Sequence, residues 1–323
     1  MISFPRAGLG CAQLGNLYTA IDDATAFATV GAAWDAGVRY FDTAPHYGLG
    51  LSERRLGAAL RERARDSFVL STKVGRLLEP SPATAGEQDP AGFVVPAAYR
   101  RVWDFSADGV LRSLTDSLDR LGLNRVDLVL IHDPEDHADE ALSSAYPALH
   151  ELRAEGVVRA IGVGSTKAEV LDRFVAETDI DVVLVAGRYT LLEQPALDSL
   201  LPACSRRGVS VLNAGVFNSG MLAVERPHAG LPYDYVDAPS SVVAKAQAIA
   251  EVCERHGVSL PAAALAFAGA HPAIASVIVG TQTPAQARQN FGLAAAPPPP
   301  GELWAELVAE GLLRADAPVP VLS

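Results

Sequence analysis

Cysteine is scarce in this chain: Cys11, Cys204 and Cys253 are three among 323 residues, odd in number and far apart. That excludes a disulfide framework and a paired CxxC metal site. No apolar run approaches the ~18–20 residues that cross a bilayer. The start, MISFPRAGLG, carries neither the basic segment nor the apolar stretch of a secretion signal. Clustered lysine and arginine are missing too. With a formal charge of −12, neither nucleic acid nor an anionic membrane is expected as a partner, because both are held largely through basic patches. No G-x-G-x-x-G lies between a strand and a helix, since GLGCAQLG has only the first part of the spacing, so a Rossmann dinucleotide fold loses support. P-loop and HExxH patterns are absent, and no metal is expected. What remains is a soluble protein suited to a reducing cytoplasm.

The residues that are present describe a regular chain. Hydrophobic residues make up 49% and charged residues 20%, as in ordinary globular proteins. Short runs rich in Val, Ile and Leu at 9–12, 38–43, 68–74, 126–132, 160–165, 181–186, 209–213 and 276–280 read as strands. Between them, 24–36, 52–65, 107–121, 141–155, 168–177, 194–207 and 240–256 repeat apolar residues three and four apart, the helical spacing. Strands without polar alternation, each followed by a helix, predict a parallel sheet covered on its outer face. Eight of them predict a closed (β/α)8 TIM barrel, a single domain over 1–323, with a doubly wound open sheet as the competing architecture. Two irregular segments, 77–103 with four prolines and 217–239 with three, follow strands on the presumed catalytic face and read as walls of a substrate pocket. The tail from Pro297 reads as a proline spacer followed by an amphipathic helix.

Chemistry-bearing residues gather at the predicted strand ends, where α/β barrels place their active sites. YFDTAPHYGLG ends a strand with Asp42 and sets Tyr47 on the loop beyond. Lys73 closes FVLSTK and His132 closes VDLVLIH. Taken singly, Asp42 serves equally as a helix cap or an ion-pair partner, Tyr47 as an ordinary aromatic, Lys73 as a solubilising charge and His132 as a core histidine. Together they match a carbonyl–alcohol redox reaction, which needs one group to give or take the proton on the reacting oxygen. A tyrosine, with a reference pKa of roughly 10, does this near neutrality when an ammonium such as Lys73 favours its phenolate. Asp42 pairs with Lys73, and His132 donates to the substrate oxygen.

These motifs, with GLG near the start, FDTAPHYG, LSTK, LVLIHD, IGVGS and VGTQTPAQARQN in order, resemble the aldo-keto reductase superfamily over essentially the whole chain. The resemblance implies a (β/α)8 barrel binding an extended nicotinamide dinucleotide, with Asp42, Tyr47, Lys73 and His132 as the catalytic tetrad. DFSADGVLRSLTDSLDRLG, IHDPEDH and AGRYTLLEQ resemble the branch of bacterial aldose dehydrogenases and pyridoxal 4-dehydrogenase. The implied reaction is oxidation of a sugar's anomeric carbon to a lactone, with Tyr47 as general base; a small aldehyde or ketone reductase and a non-catalytic cofactor-sensing subunit are the competing readings.

For the cofactor, the resemblance implicates Ser165, Thr166, Gly280, Thr281, Gln286 and Asn290. Thr166 replaces the family's usual asparagine, Ala186 a glutamine and Ala214 a stacking ring, so Arg188, Asn213 and Phe217 are candidates to compensate. Gly280 and Gln286 stand where NADP-preferring relatives carry cations. NAD is therefore the expected cofactor, with NADP as the alternative. His46, Trp103, His137 and Arg188 are expected around a small sugar or aldehyde, in a monomer or small homo-oligomer.

Overall fold

The computed structural model describes residues 2–234 and 236–320. Eight parallel strands close into a barrel in chain order: β1 (Ala7–Gly10), β2 (Tyr40–Asp42), β3 (Val69–Val74), β4 (Leu128–His132), β5 (Ala160–Ser165), β6 (Val182–Ala186), β7 (Ser210–Ala214) and β8 (Ile274–Gly280). Pairing of β1 with β8, Gly10 opposite Gly280, completes the ring and rules out the open sheet. Most of the strands are apolar on both faces for a packing reason. Tyr40, Leu128, Leu130, Val182, Leu184, Leu212 and Ile278 fill the inside, where Ile2 joins them. Their alternate neighbours, including Phe41, Leu70, Val129, Ile131, Val163, Val183 and Val211, pack outward into the helix layer. Period-two alternation thus distributes residues between two cores, leaving no polar face to read.

Helices α1 (Asp23–Asp35), α2 (Leu51–Leu60), α3 (Ala107–Leu121), α4 (Tyr146–Ala154), α5 (Ala168–Glu177), α6 (Leu200–Arg207), α7 (Ser240–Arg255), α8 (Leu260–Ala268), α9 (Pro284–Ala294) and α10 (Gly301–Ala309) surround it. α3 shows how local sequence sets such bounds. The Ser106 hydroxyl accepts from the Gly109 amide at 3.0 Å, and Gly122 takes the left-handed conformation that ends the helix. The tail helix α10 buries Trp304 against Phe267 of α8, with ring centroids 6.3 Å apart.

Several expectations shift. β1 lies two residues before the predicted 9–12, because Ala12–Gly15 turns into a 3-10 helix. The predicted 141–155 helix begins as a π-helical stretch, Ala141–Ala145, and 194–207 splits into a 3-10 turn, Pro195–Leu197, and α6. α8 escaped detection because LPAAALAFA is apolar on nearly every side and has no periodic stripe. Segment 77–103 is less irregular than expected, since Arg76–Pro80 and Tyr99–Trp103 form an antiparallel ribbon with Arg76 opposite Trp103.

Candidate active site

The loops after β1 and β2 set the position of Tyr47. Gly48 has φ +61°, and a Cβ there would lie 2.2 Å from the Gly15 carbonyl oxygen, while one on Gly15 would meet the Tyr47 carbonyl carbon at 2.6 Å. The two backbones touch, which only glycine permits. Arg55 of α2 locks the same loop by donating to the Leu14 carbonyl and to Asn16 Oδ1, at 2.8 and 2.7 Å, and to the Ile21 carbonyl at 2.8 Å. Below it, Ser52 donates to the Cys11 carbonyl at 2.7 Å.

Strand register brings the tetrad together. Asp42 ends β2 opposite Ser71, whose hydroxyl donates to Asp42 Oδ1 at 2.7 Å. Two residues on, Lys73 donates from Nζ to Asp42 Oδ2 at 2.7 Å, the Thr43 carbonyl at 3.0 Å and Tyr47 Oη at 3.1 Å. Its side chain is 1% exposed. Burial by itself lowers the affinity of Lys73 for its proton, yet Asp42 and Tyr47 together hold the ammonium above its ordinary value. The pair is a buried charge compensated at both oxygens.

Two imidazoles complete the rim. The His132 ring stands edge-on to Tyr47, centroids 5.9 Å apart, and 5.6 Å from the His46 ring. Burial, then the fields of Arg76 and Lys73, holds His132 well below the usual imidazole value. Burial with Arg76, Arg101 and Lys73 pushes His46 down to about 2. Both rings are neutral, and both have a buried Nδ1 with no hydrogen-bond partner among the described residues. A neutral imidazole can donate one hydrogen bond to a substrate oxygen.

The cofactor-side expectations divide. Ser165 closes β5, donates its hydroxyl to Glu135 and accepts from the Lys167 amide at 2.8 Å. At the end of β8, the buried Thr281 Oγ1 and Gln13 Oε1 have no partner among the described residues, and a Cβ on Gly280 would strike the Gln13 amide at 2.7 Å. Asn290 is half-buried on α9. Gln286 is occupied as a cap of α9, its Oε1 accepting from the Gln282 and Thr283 amides at 2.8 and 3.3 Å. Asn213 turns away from the pocket: alternation on β7 points Leu212 inward, so Asn213 faces the helices and donates to the Tyr189 and Ala268 carbonyls at 2.8 and 2.9 Å. Phe217 is 9% exposed and packs into the helix-side core. Arg188 is tied to Asp234 at 2.7 Å and Glu193 at 3.4 Å, and its Nε donates to the Thr166 carbonyl at 2.8 Å. The structural ion pair therefore accounts for its charge.

Around the mouth, Trp103 lies 5.5 Å from the His137 ring and stacks on Phe105 at 5.8 Å, while the Arg76 guanidinium sits over it, 4.4 Å from the ring centroid. Four neighbours were not foreseen. Phe93 packs edge-on to His46 at 5.3 Å. Arg101 is paired with Asp89 at 2.7 and 2.6 Å and donates to the His46 carbonyl at 2.9 Å. Arg76 and Asp133 pair with each other beside His132. Asp133 follows β4 directly and Arg76 comes two residues after β3, so the strand-end rule that found Lys73 and His132 would have found them. Phe93 and Arg101 arrive from the 77–103 segment with no local signal.

A family model described as "Aldo/keto reductase family" matches residues 6–307. The chain belongs to the aldo-keto reductase family. As a member it is an oxidoreductase served by a nicotinamide cofactor, and the partnerless polar atoms beside Gly280 suit such a polar ligand. It is 50% identical over 319 residues to a D-threo-aldose 1-dehydrogenase of a Pseudomonas species, covering 97% of this chain and 95% of that one. It is 40% identical to the pyridoxal 4-dehydrogenase of Microbacterium luteolum, over 95% and 94% of the two chains. Among solved structures, the holo form of a Bacillus halodurans aldo-keto reductase superposes with a TM-score of 0.74 at 25% identity, over 97% and 93% of the two chains. Among the described residues, no group of three or more His, Cys, Asp or Glu side chains could hold a metal ion, and no helix is long and apolar enough to cross a membrane.

Proposed function

We propose that this chain oxidises the anomeric carbon of an aldose, of the L-fucose or D-threo-aldose type, to the lactone with NAD. The observation that carries this reading is the buried Lys73 ammonium bridging the Asp42 carboxylate and the Tyr47 phenol at 2.7 and 3.1 Å. The 50% identity to an aldose 1-dehydrogenase supplies the substrate class and the direction. Bound NAD supplies the hydride acceptor. Tyr47 Oη takes the proton of the anomeric hydroxyl, and the ammonium beside it favours the phenolate that does so. Asp42 holds Lys73 in place through Oδ2 while Ser71 holds Asp42 through Oδ1. Neutral His132 donates to the reacting oxygen and fixes its angle against Tyr47. His46 and His137 border the sugar.

Ser165, Thr166, Gly280, Thr281 and Asn290 hold the dinucleotide in this reading. NAD is preferred over NADP because neither Gly280 nor Gln286 can neutralise a 2′-phosphate, and the Gln286 side chain is already engaged as a helix cap. The three buried, free cysteines suit a cytoplasmic protein, which acts as a monomer or small homo-oligomer. The 40% identity to a pyridoxal 4-dehydrogenase supports pyridoxal as the second reading. A panel of aldoses, pyridoxal and simple alcohols, each with NAD and NADP, decides by the absorbance of the reduced cofactor. L-Fucose-type aldoses with NAD should give the highest kcat/KM. Greater efficiency with pyridoxal, or with NADP, overturns the corresponding part.

A further inference from the structure

Arg76 is a buried guanidinium with most of its donors unused. Its residue is 9% exposed, Nη2 pairs with Asp133 Oδ2, Nη1 makes no hydrogen bond among the described residues, and Nε is buried without a partner. A buried charged donor left unpaired is costly unless a ligand completes it. Its surroundings put it in the active site: its field reaches Tyr47, His46 and His132.

Asp133 is equally unusual. It follows His132 with φ +43°, in the left-handed region, and its amide donates to the Gly164 carbonyl at 2.9 Å. Oδ2 lies 3.5 Å from His132 Nε2, and among the described residues Oδ1 accepts no hydrogen bond. Trp103, expected around the sugar, carries Arg76 at 4.4 Å and so steadies the guanidinium.

We propose that the Arg76–Asp133 pair is the specificity determinant of this site, recognising a hydroxyl group next to the reacting carbon of a polyhydroxylated substrate. A sugar hydroxyl both accepts and donates, so it satisfies Arg76 N–H and Asp133 Oδ1 together, two carbons away from the oxygen held between Tyr47 and His132. A substrate without that hydroxyl leaves both groups unpaired and is rejected. The inference rests on the aldose reading above, which names the substrate but not the residues that select it. Trp103 is a positioning residue in this scheme.

The test compares L-fucose with 2-hydroxytetrahydropyran, a cyclic hemiacetal that gives a lactone but lacks the other hydroxyls. The measured quantity is the ratio of their kcat/KM values with NAD, for the wild type, Asp133→Asn, Arg76→Met and Trp103→Leu. NAD binding, followed by quenching of intrinsic fluorescence, checks that each variant is folded. In the wild type the ratio should strongly favour L-fucose. It should fall roughly tenfold to a hundredfold in Asp133→Asn and Arg76→Met, the worth of a hydrogen bond to a charged group. Most of the loss should appear in KM, with a smaller fall in Trp103→Leu. A ratio unchanged within twofold in folded Asp133→Asn and Arg76→Met overturns this inference alone. A wild type that prefers 2-hydroxytetrahydropyran to every aldose overturns both it and the aldose reading.

Discussion

Replacing Lys73 with methionine separates what this residue does for the fold from what it does for the reaction. At 2.7 Å and an effective dielectric of about 20, attraction between the Lys73 and Asp42 charges is roughly 6 kcal/mol before desolvation is counted. Removing one partner of a buried pair costs about 3–5 kcal/mol, because the other charge is left uncompensated. Asp42 keeps its hydrogen bond from Ser71, so the lower end, about 3 kcal/mol, is expected for Lys73→Met. Adding Asp42→Asn removes the stranded charge and should recover about 2 kcal/mol of that loss. Turnover should not recover. The ammonium 3.1 Å from Tyr47 Oη is absent from both variants, and losing a tuned proton acceptor costs about 10²–10⁴-fold in kcat. Urea unfolding followed by circular dichroism reads the first effect, and NAD reduction the second. A double variant no more stable than Lys73→Met refutes the buried-charge argument, and a Lys73→Met enzyme within tenfold of wild-type kcat refutes the role of the ammonium.

Tyr47→Phe should abolish turnover while leaving NAD affinity within about twofold, measured by fluorescence titration; residual activity above about 1% of wild type would remove Tyr47 from its role as base. His46 should make stability depend on acidity. Its folded value is about 2 against about 6.5 unfolded, so the unfolded chain binds the extra proton at any pH between. The contribution of His46 is complete above about pH 6.5 and is lost at about 1.4 kcal/mol per unit as pH falls. In His46→Gln, urea midpoints between about pH 4 and pH 6 should show a slope shallower by one proton, and an unchanged slope would mean that the ring is already charged or solvated when folded.

Strand ends were legible because chemistry and topology coincide there. A carboxylate, an ammonium and an imidazole closing three apolar runs are visible in one dimension, and α3 and α5 keep their predicted bounds because each presents one apolar stripe. The amino-acid order by itself thus settled the repeating strand–helix plan, the strand-end placement of Asp42, Lys73 and His132 and the family resemblance. It could not settle which way a side chain leaves a strand whose two faces are both apolar. Asn213 looked available to a ligand, and pleating on β7 sent it toward α8. Gln286 and Arg188 were spoken for by a cap and an ion pair that depend on turn geometry and on residues 46 positions away. Only the closed barrel decided that Arg76, from the start of a ribbon paired with Trp103, meets Asp133 beside His132. The physical reason is that such contacts join segments distant in sequence, and their partners are chosen by strand register and packing rather than by any local pattern.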